Sequence, residues 1–140
     1  MSIFQLFYVS QANRNFNSIE IPNILAKAHA FNPTQGLTGV LMFRGGTFIQ
    51  LLEGEEDRVR ALYRKIATDP RHSNLLTLFE RQAEERIFTD WSMAYKELGT
   101  LDLRLINEIL SWKSLIGQEP VDELKIMAFL YRFKTIELLH

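Results

Sequence analysis

The carboxamide of Gln50 stands in an apolar run, 47–52, where strand alternation puts Phe48, Gln50 and Leu52 on one face. A primary amide carries two donors and two acceptor lone pairs, and each one left unpaired in an apolar setting costs about 1–3 kcal/mol. That face therefore requires a polar partner for Gln50, whether a side chain, a water or a ligand. Tyr8 raises the same question in the run 3–10, where Phe4, Leu6, Tyr8 and Ser10 share a face and the ring follows two apolar side chains into a packed layer. Taken alone, a tyrosine so placed is a core residue anchored through its hydroxyl to a backbone carbonyl. Asn32 ends a helical pattern just before Pro33, a place for a C-cap or for an amide presented to something beside the helix. Arg71 and His72 follow Asp69-Pro70 in a loop, where they read as a solvated pair or as a contact to an anion or ligand.

Several other chemistries are excluded. The 140 residues include no cysteine, which removes disulfides, thiolate metal sites and cysteinyl nucleophiles or adducts. His29, His72 and His140 are too scattered for metal-ligand spacing, and the chain has neither a glycine-rich phosphate loop nor a G-x-S-x-G elbow. Glu55, Glu56 and Asp57 open a helix, where the macrodipole favours carboxylates, and nothing converges on them for acid–base work. A formal net charge of -1 offers no excess of positive charge to nucleic acid or an anionic membrane. No apolar run reaches the length of a membrane span, and the N-terminus lacks the basic flank and cleavage site of a signal peptide, so a cytoplasmic protein is expected.

The elements that must position these groups follow from periodicity. The run 3–10 is apolar on both faces and reads as a central strand. Ser18 is the expected N-cap of a helix to about Asn32, with Ile21, Ile24, Leu25, Ala28 and Phe31 as its buried stripe. Two apolar runs meet at Gly45-Gly46, a pair that supplies the positive φ of a tight hairpin. A second helix buries Val59, Leu62, Tyr63 and Ile66 and stops at Asp69-Pro70. A strand is expected over 74–79, a charged loop or exposed edge over 81–86, and a strand over 91–95 with Trp91, Met93 and Tyr95 on one face. The order β-α-β-β-α-β-β predicts an α+β, ferredoxin-like sandwich with both helices on one sheet face. Two further helices, one capped by Thr100 or Asp102 and one from about Val121, are expected to cover the other face, the last with apolar surface left for a second subunit or a partner protein.

Five segments in order resemble the BLUF domains, blue-light sensors using flavin. They are Phe7-Tyr8-Val9-Ser10, Asn32 with Gly36-Leu37-Thr38-Gly39, the stretch from Phe48 through Gln50 to Gly54, Asp69-Pro70-Arg71-His72, and Trp91-Ser92-Met93. The resemblance covers about residues 1–97 and, with two helices over 98–140, is similar to the short stand-alone class, a sensor with no evident catalytic output domain. It implies a flavin, normally FAD with FMN possible, lying between the two helices. By that match Ile24 and Ile66 sandwich the ring, Asn32 bonds its pyrimidine edge, Arg71 and His72 lie near a carbonyl edge or the polar tail, and Lys65 contacts the side chain or phosphates. Gln50 bridges Tyr8 and the ring, Tyr8 is the electron and proton donor, Trp91 is a competing donor, and Met93 or Trp91 reports the change. Phe31 departs from the pattern, standing where close relatives often carry a polar residue. The implied output is light-switched binding through the C-terminal region, to an unidentified protein or within a homo-oligomer. The readings set against it are an acylphosphatase-like hydrolase using an Arg and an Asn, and a colourless protein–protein adaptor.

Overall fold

Gly45 and Gly46, with φ of +58° and +82°, turn the chain between β2 (Thr38–Arg44) and β3 (Thr47–Gly54). Two consecutive positive φ angles match the twist of the flanking strands, so the expected hairpin forms with Arg44 opposite Thr47. Its strands approach closely at Gly39, where a Cβ would lie 2.0 Å from the carbonyl oxygen of Leu51. The computed structural model describes residues 2–89, 92–100, 104 and 123–134.

The sheet has the order β4-β1-β3-β2-β5. The central strand is β1 (Ile3–Ala12), antiparallel to both β3 and β4 (His72–Ala83), and β5 (Ala94–Glu97) runs parallel to β2. Helices α1 (Ile21–Phe31) and α2 (Glu56–Ala67) pack on one face, against Phe4, Leu6, Tyr8, Phe48 and Leu52. The opposite face offers Phe7, Met42, Ile49, Leu51 and Phe79 to a third helix, α3 (Glu123–Lys134), which buries Ile126, Phe129 and Leu130 there. Each of those three side chains contributes roughly 1.5–3 kcal/mol by leaving water. This is the α+β, ferredoxin-like arrangement predicted from the element order, with a C-terminal helix on the second face.

Local differences have local causes. Asn17, rather than Ser18, caps the first helical turn, and its capping box with Glu20 encloses a 3-10 turn, Ser18–Glu20. Pro22 has no N–H to return to Ser18, whose carbonyl is taken by Ile21 instead. Asn32 keeps helical angles (φ -59°, ψ -41°) despite Pro33, and the chain continues as a 3-10 turn, Asn32–Gln35. Strand β4 begins at His72 and runs through Ala83, because an edge strand can pair its polar residues Arg81 and Gln82 with β1 on one side and expose them on the other. Thr100 and Arg104 are helical, and the rest of the helix expected up to Gly117 lies outside the described residues, as does Trp91. Among the described residues no helix is long and apolar enough to cross a membrane.

Candidate functional site

The apolar stripes of α1 and α2 are less covered than their periodicity predicts. Only Ile21 in α1 and Val59 in α2 are buried, whereas Ile24, Ala28, Leu62 and Ile66 are half-buried. The reason is geometric: these four side chains line a cavity of about 220 Å³ bounded by the two helices and the sheet. Its sheet side is made by Tyr8, Leu41, Phe48 and Gln50, and Met93 joins them from the residue just before β5. Mostly apolar walls with a few convergent polar groups are the makings of a small-molecule site.

Tyr8 and Gln50 are register partners in the β1–β3 ladder, and alternation turns both toward the helices. The Tyr8 hydroxyl donates to Gln50 Oε1. Burial pushes the phenol well above its ordinary pKa, with smaller contributions from Tyr63 and Asp69, so Tyr8 stays a neutral donor. Tyr63 packs on it at 5.0 Å between ring centroids. With its oxygen toward Tyr8, the Gln50 amide turns its nitrogen toward Met93 Sδ at 3.6 Å, a weak acceptor. One N–H and one acceptor lone pair of Gln50 remain beyond these two contacts, among the described residues.

Helix α1 grips the segment before β5. Asn32 Nδ2 donates to the Ser92 carbonyl at 2.6 Å, and His29 Nε2 to the Met93 carbonyl at 2.8 Å. Asn32 is buried, and among the described residues its side-chain oxygen Oδ1 accepts no hydrogen bond. Its side chain therefore ties the helix end to the strand entry rather than serving the backbone of its own turn.

At the far side of the cavity His72 Nε2 donates to the Ile66 carbonyl at 2.7 Å, and Nδ1 of the same ring pairs with Ser10 Oγ at 2.8 Å. Arg71 lines the cavity, but its guanidinium is forked onto Asp69, with Nη2 to Oδ2 at 2.6 Å. The pairing holds the Asp69 carboxyl below the usual carboxylate range and raises Arg71. Lys27 and Lys65 stand at the cavity margin, exposed, and Lys65 Nζ lies 5.0 Å above the Phe31 ring.

One cavity thus brings together Tyr8, Ile24, Asn32, Gln50, Lys65, Ile66, Arg71, His72 and Met93, which the sequence placed in six separate segments. Lys27 and Asp69 line it too and were not among the expected residues. Lys27 lies on the helical step Ile24, Lys27, Phe31, which is a signal for it in the sequence; Asp69 reads in the sequence as a helix stop, and only its pairing with Arg71 shows its place at the cavity. His29 carried no sequence signal for its contact with Met93.

The family described as sensors of blue-light using FAD, BLUF, matches residues 3–94. Photoactivated adenylate cyclase subunit beta of Euglena gracilis is 36% identical over 89 residues, 63% of this chain and 10% of that protein. The blue light- and temperature-regulated antirepressor BluF of Escherichia coli (strain K12) is 41% identical over 91 residues, 65% of this chain and 22% of that protein. The chain therefore spans about a tenth to a fifth of the length of these relatives. Among solved structures, BlsA in its photo-activated state superposes with a TM-score of 0.78 at 28% identity, covering 99% of both chains. The dark-state BLUF protein BlrB gives 0.70 at 30% identity, over 91% of this chain and 96% of that one.

Proposed function

The chain belongs to the BLUF family of blue-light sensors, and we propose that its light response starts at the Tyr8–Gln50 hydrogen bond, beside a flavin held between α1 and α2. The observation that carries this reading is that bond itself, at the sheet side of a cavity walled by two half-covered apolar helices. The lining suits such a group. Ile24 and Ile66 supply apolar contact, and Gln50 and Asn32 hold hydrogen-bonding capacity that suits the alternating donors and acceptors of a pyrimidine edge. Lys27 and Lys65 at the margin suit the phosphate tail of FAD or FMN. Arg71, neutralised by Asp69, suits a carbonyl better than an anion.

When bound, a flavin supplies blue absorption and a strongly oxidising excited state. The chain contributes the rest. Tyr8 would yield an electron to the excited flavin and pass its hydroxyl proton toward Gln50 Oε1, and both would return to Tyr8 as the light-adapted state forms, leaving no net redox change. On that return the Gln50 amide rotates or tautomerises, exchanging the donor and acceptor it presents to Tyr8, Met93 and the ligand. Trp91 is a competing electron donor in this scheme. The loss of the Gln50–Met93 contact then alters the entry to β5, and through the sheet the packing of α3 on Ile49 and Leu51.

In this division residues 1–97 sense and 98–140 transmit, to a downstream protein or a second copy of the chain in the cytoplasm, with no catalytic step of their own. Purified protein is expected to be yellow and to show a small, reversible red shift under blue light. A colourless preparation that cannot be reconstituted with FAD or FMN would end this reading.

A further inference from the structure

Glu53 is completely buried on the face of β3 turned away from Gln50. Its carboxylate takes three donors, Gln5 Nε2 at 2.7 Å, the Ile87 amide at 2.7 Å and the Phe88 amide at 2.8 Å. Gln5 is its register partner on β1, so these two strands carry a second polar pair, three residues from Tyr8–Gln50 and on the opposite face. To give Glu53 its amide N–H, Gln5 leaves its own carbonyl oxygen buried without a partner among the described residues. A carboxylate in this position is costly to bury, and its three donors fix where residues 87–88 lie.

The neighbouring Arg86 strengthens the same point of attachment. Its guanidinium donates to the Gly36 carbonyl at 2.7 Å, Thr38 Oγ1 at 2.9 Å and the Glu53 carbonyl at 3.1 Å. Residues 86–88 begin the connector from β4 to β5, and its other end, Ser92–Met93, is held from the cavity side by Asn32, His29 and Gln50. Ile87 and Phe88 are buried in the core that contains Ile126, Phe129 and Leu130 of α3. The connector is thus bonded at one end to the fully buried Glu53 side chain and at the other to Asn32, His29 and Gln50.

Building on the proposed light response, we propose that Glu53 is a positioning residue for it: it fixes residues 86–88, so that a change at Gln50 displaces only the Ser92–Met93 end and with it β5. The fixed end provides the restoring bias toward the dark arrangement.

Amide hydrogen exchange on the full-length, flavin-loaded chain tests this without mutation. The Ile87 and Phe88 amides should be strongly protected and equal in dark and light, while amides over 92–97 change on illumination. Exchange of Ile87 and Phe88 at loop rates, or a light response there as large as that over 92–97, overturns the proposal. Glu53→Gln, which keeps one acceptor oxygen, should retain flavin and red shift but return to the dark state severalfold more slowly. A lowered melting temperature with unchanged recovery would mark a purely structural role and overturn it too. Should that variant not fold, Gln5→Leu, which removes one of the three donors, should slow recovery in the same sense, and unchanged recovery there again overturns the proposal. Failure of the underlying light response is seen separately, as a wild-type protein without red shift.

Discussion

Tyr8 and Gln50 face each other across the β1–β3 ladder, and the phenol donates to the amide oxygen. Replacing Gln50 by Leu keeps the bulk and removes the acceptor, leaving a buried hydroxyl unpaired at a cost of about 1–3 kcal/mol. The variant is expected to fold and bind flavin yet show no light-induced red shift. Difference absorption spectra before and after blue light check this, and a wild-type shift in the variant would refute the assigned role.

Tyr8→Phe isolates the hydroxyl. The ring keeps its packing on Tyr63, so the loss of stability should be only about 0.5–1.5 kcal/mol in urea denaturation. The photochemical response should nevertheless be abolished. A response of normal size would move the electron donor elsewhere, with Trp91 the first place to look.

Alkaline pH should destabilise the fold through its buried phenols. Burial raises Tyr8, and it pushes Tyr95 up to about 12 with a smaller contribution from Glu97. Above the ordinary tyrosine value of about 10 the unfolded chain loses these protons while the native chain keeps them, so stability falls as pH rises. Melting temperatures should drop from about pH 10 upward, and Tyr8→Phe should make that limb shallower. An identical slope in the variant would mean that the Tyr8 phenol is not its source.

Asp69 governs part of the acid limb, with the opposite sign. Arg71 holds its carboxyl low, so the pair stabilises the fold above the ordinary carboxylate value of about 3.9, and the contribution is lost as pH falls through the depressed native value. Both side chains keep more than a quarter of their surface in water, 29% and 28%, and screening limits the effect to about 1 kcal/mol or less. Asp69→Asn should be slightly less stable at neutral pH and converge with the parent in acid. Melting curves from neutral to acid pH decide it.

Gly39→Ala should be the most damaging single methyl. The added Cβ would meet the Leu51 carbonyl at 2.0 Å, a backbone atom that cannot rotate aside, so the β2–β3 ladder must open. A loss above about 3 kcal/mol is expected. A variant of near-native melting temperature would show that the strands can separate locally at little cost.

Much of the architecture was legible because its signals are local. Gly45-Gly46 announces the hairpin, period two assigns Tyr8 and Gln50 to one face, and element order yields the sandwich. The site was legible only in part. Ile24 and Ile66 look like core residues by periodicity, and it takes the placement of both helices over the sheet to show them half-covered around a cavity. His29 and Glu53 were hidden for a different reason: their partners, Met93 and residues 87–88, are distant in sequence and offer backbone groups, which no residue type reveals. Asn17 took the cap from Ser18 because either type serves and only the position of Pro22 separates them.

Strand β5 is the last in the row, bonded to β2 on one flank and, among the described residues, to no strand on the other. Sliding or tilting an interior strand would break two ladders; displacing this one breaks four register pairs on a single side. In the proposed light response, whatever nudges Met93 would therefore push on a single-sided margin of an otherwise stiff plate, turning a photon's small local disturbance into mechanical travel without endangering the fold that detects it.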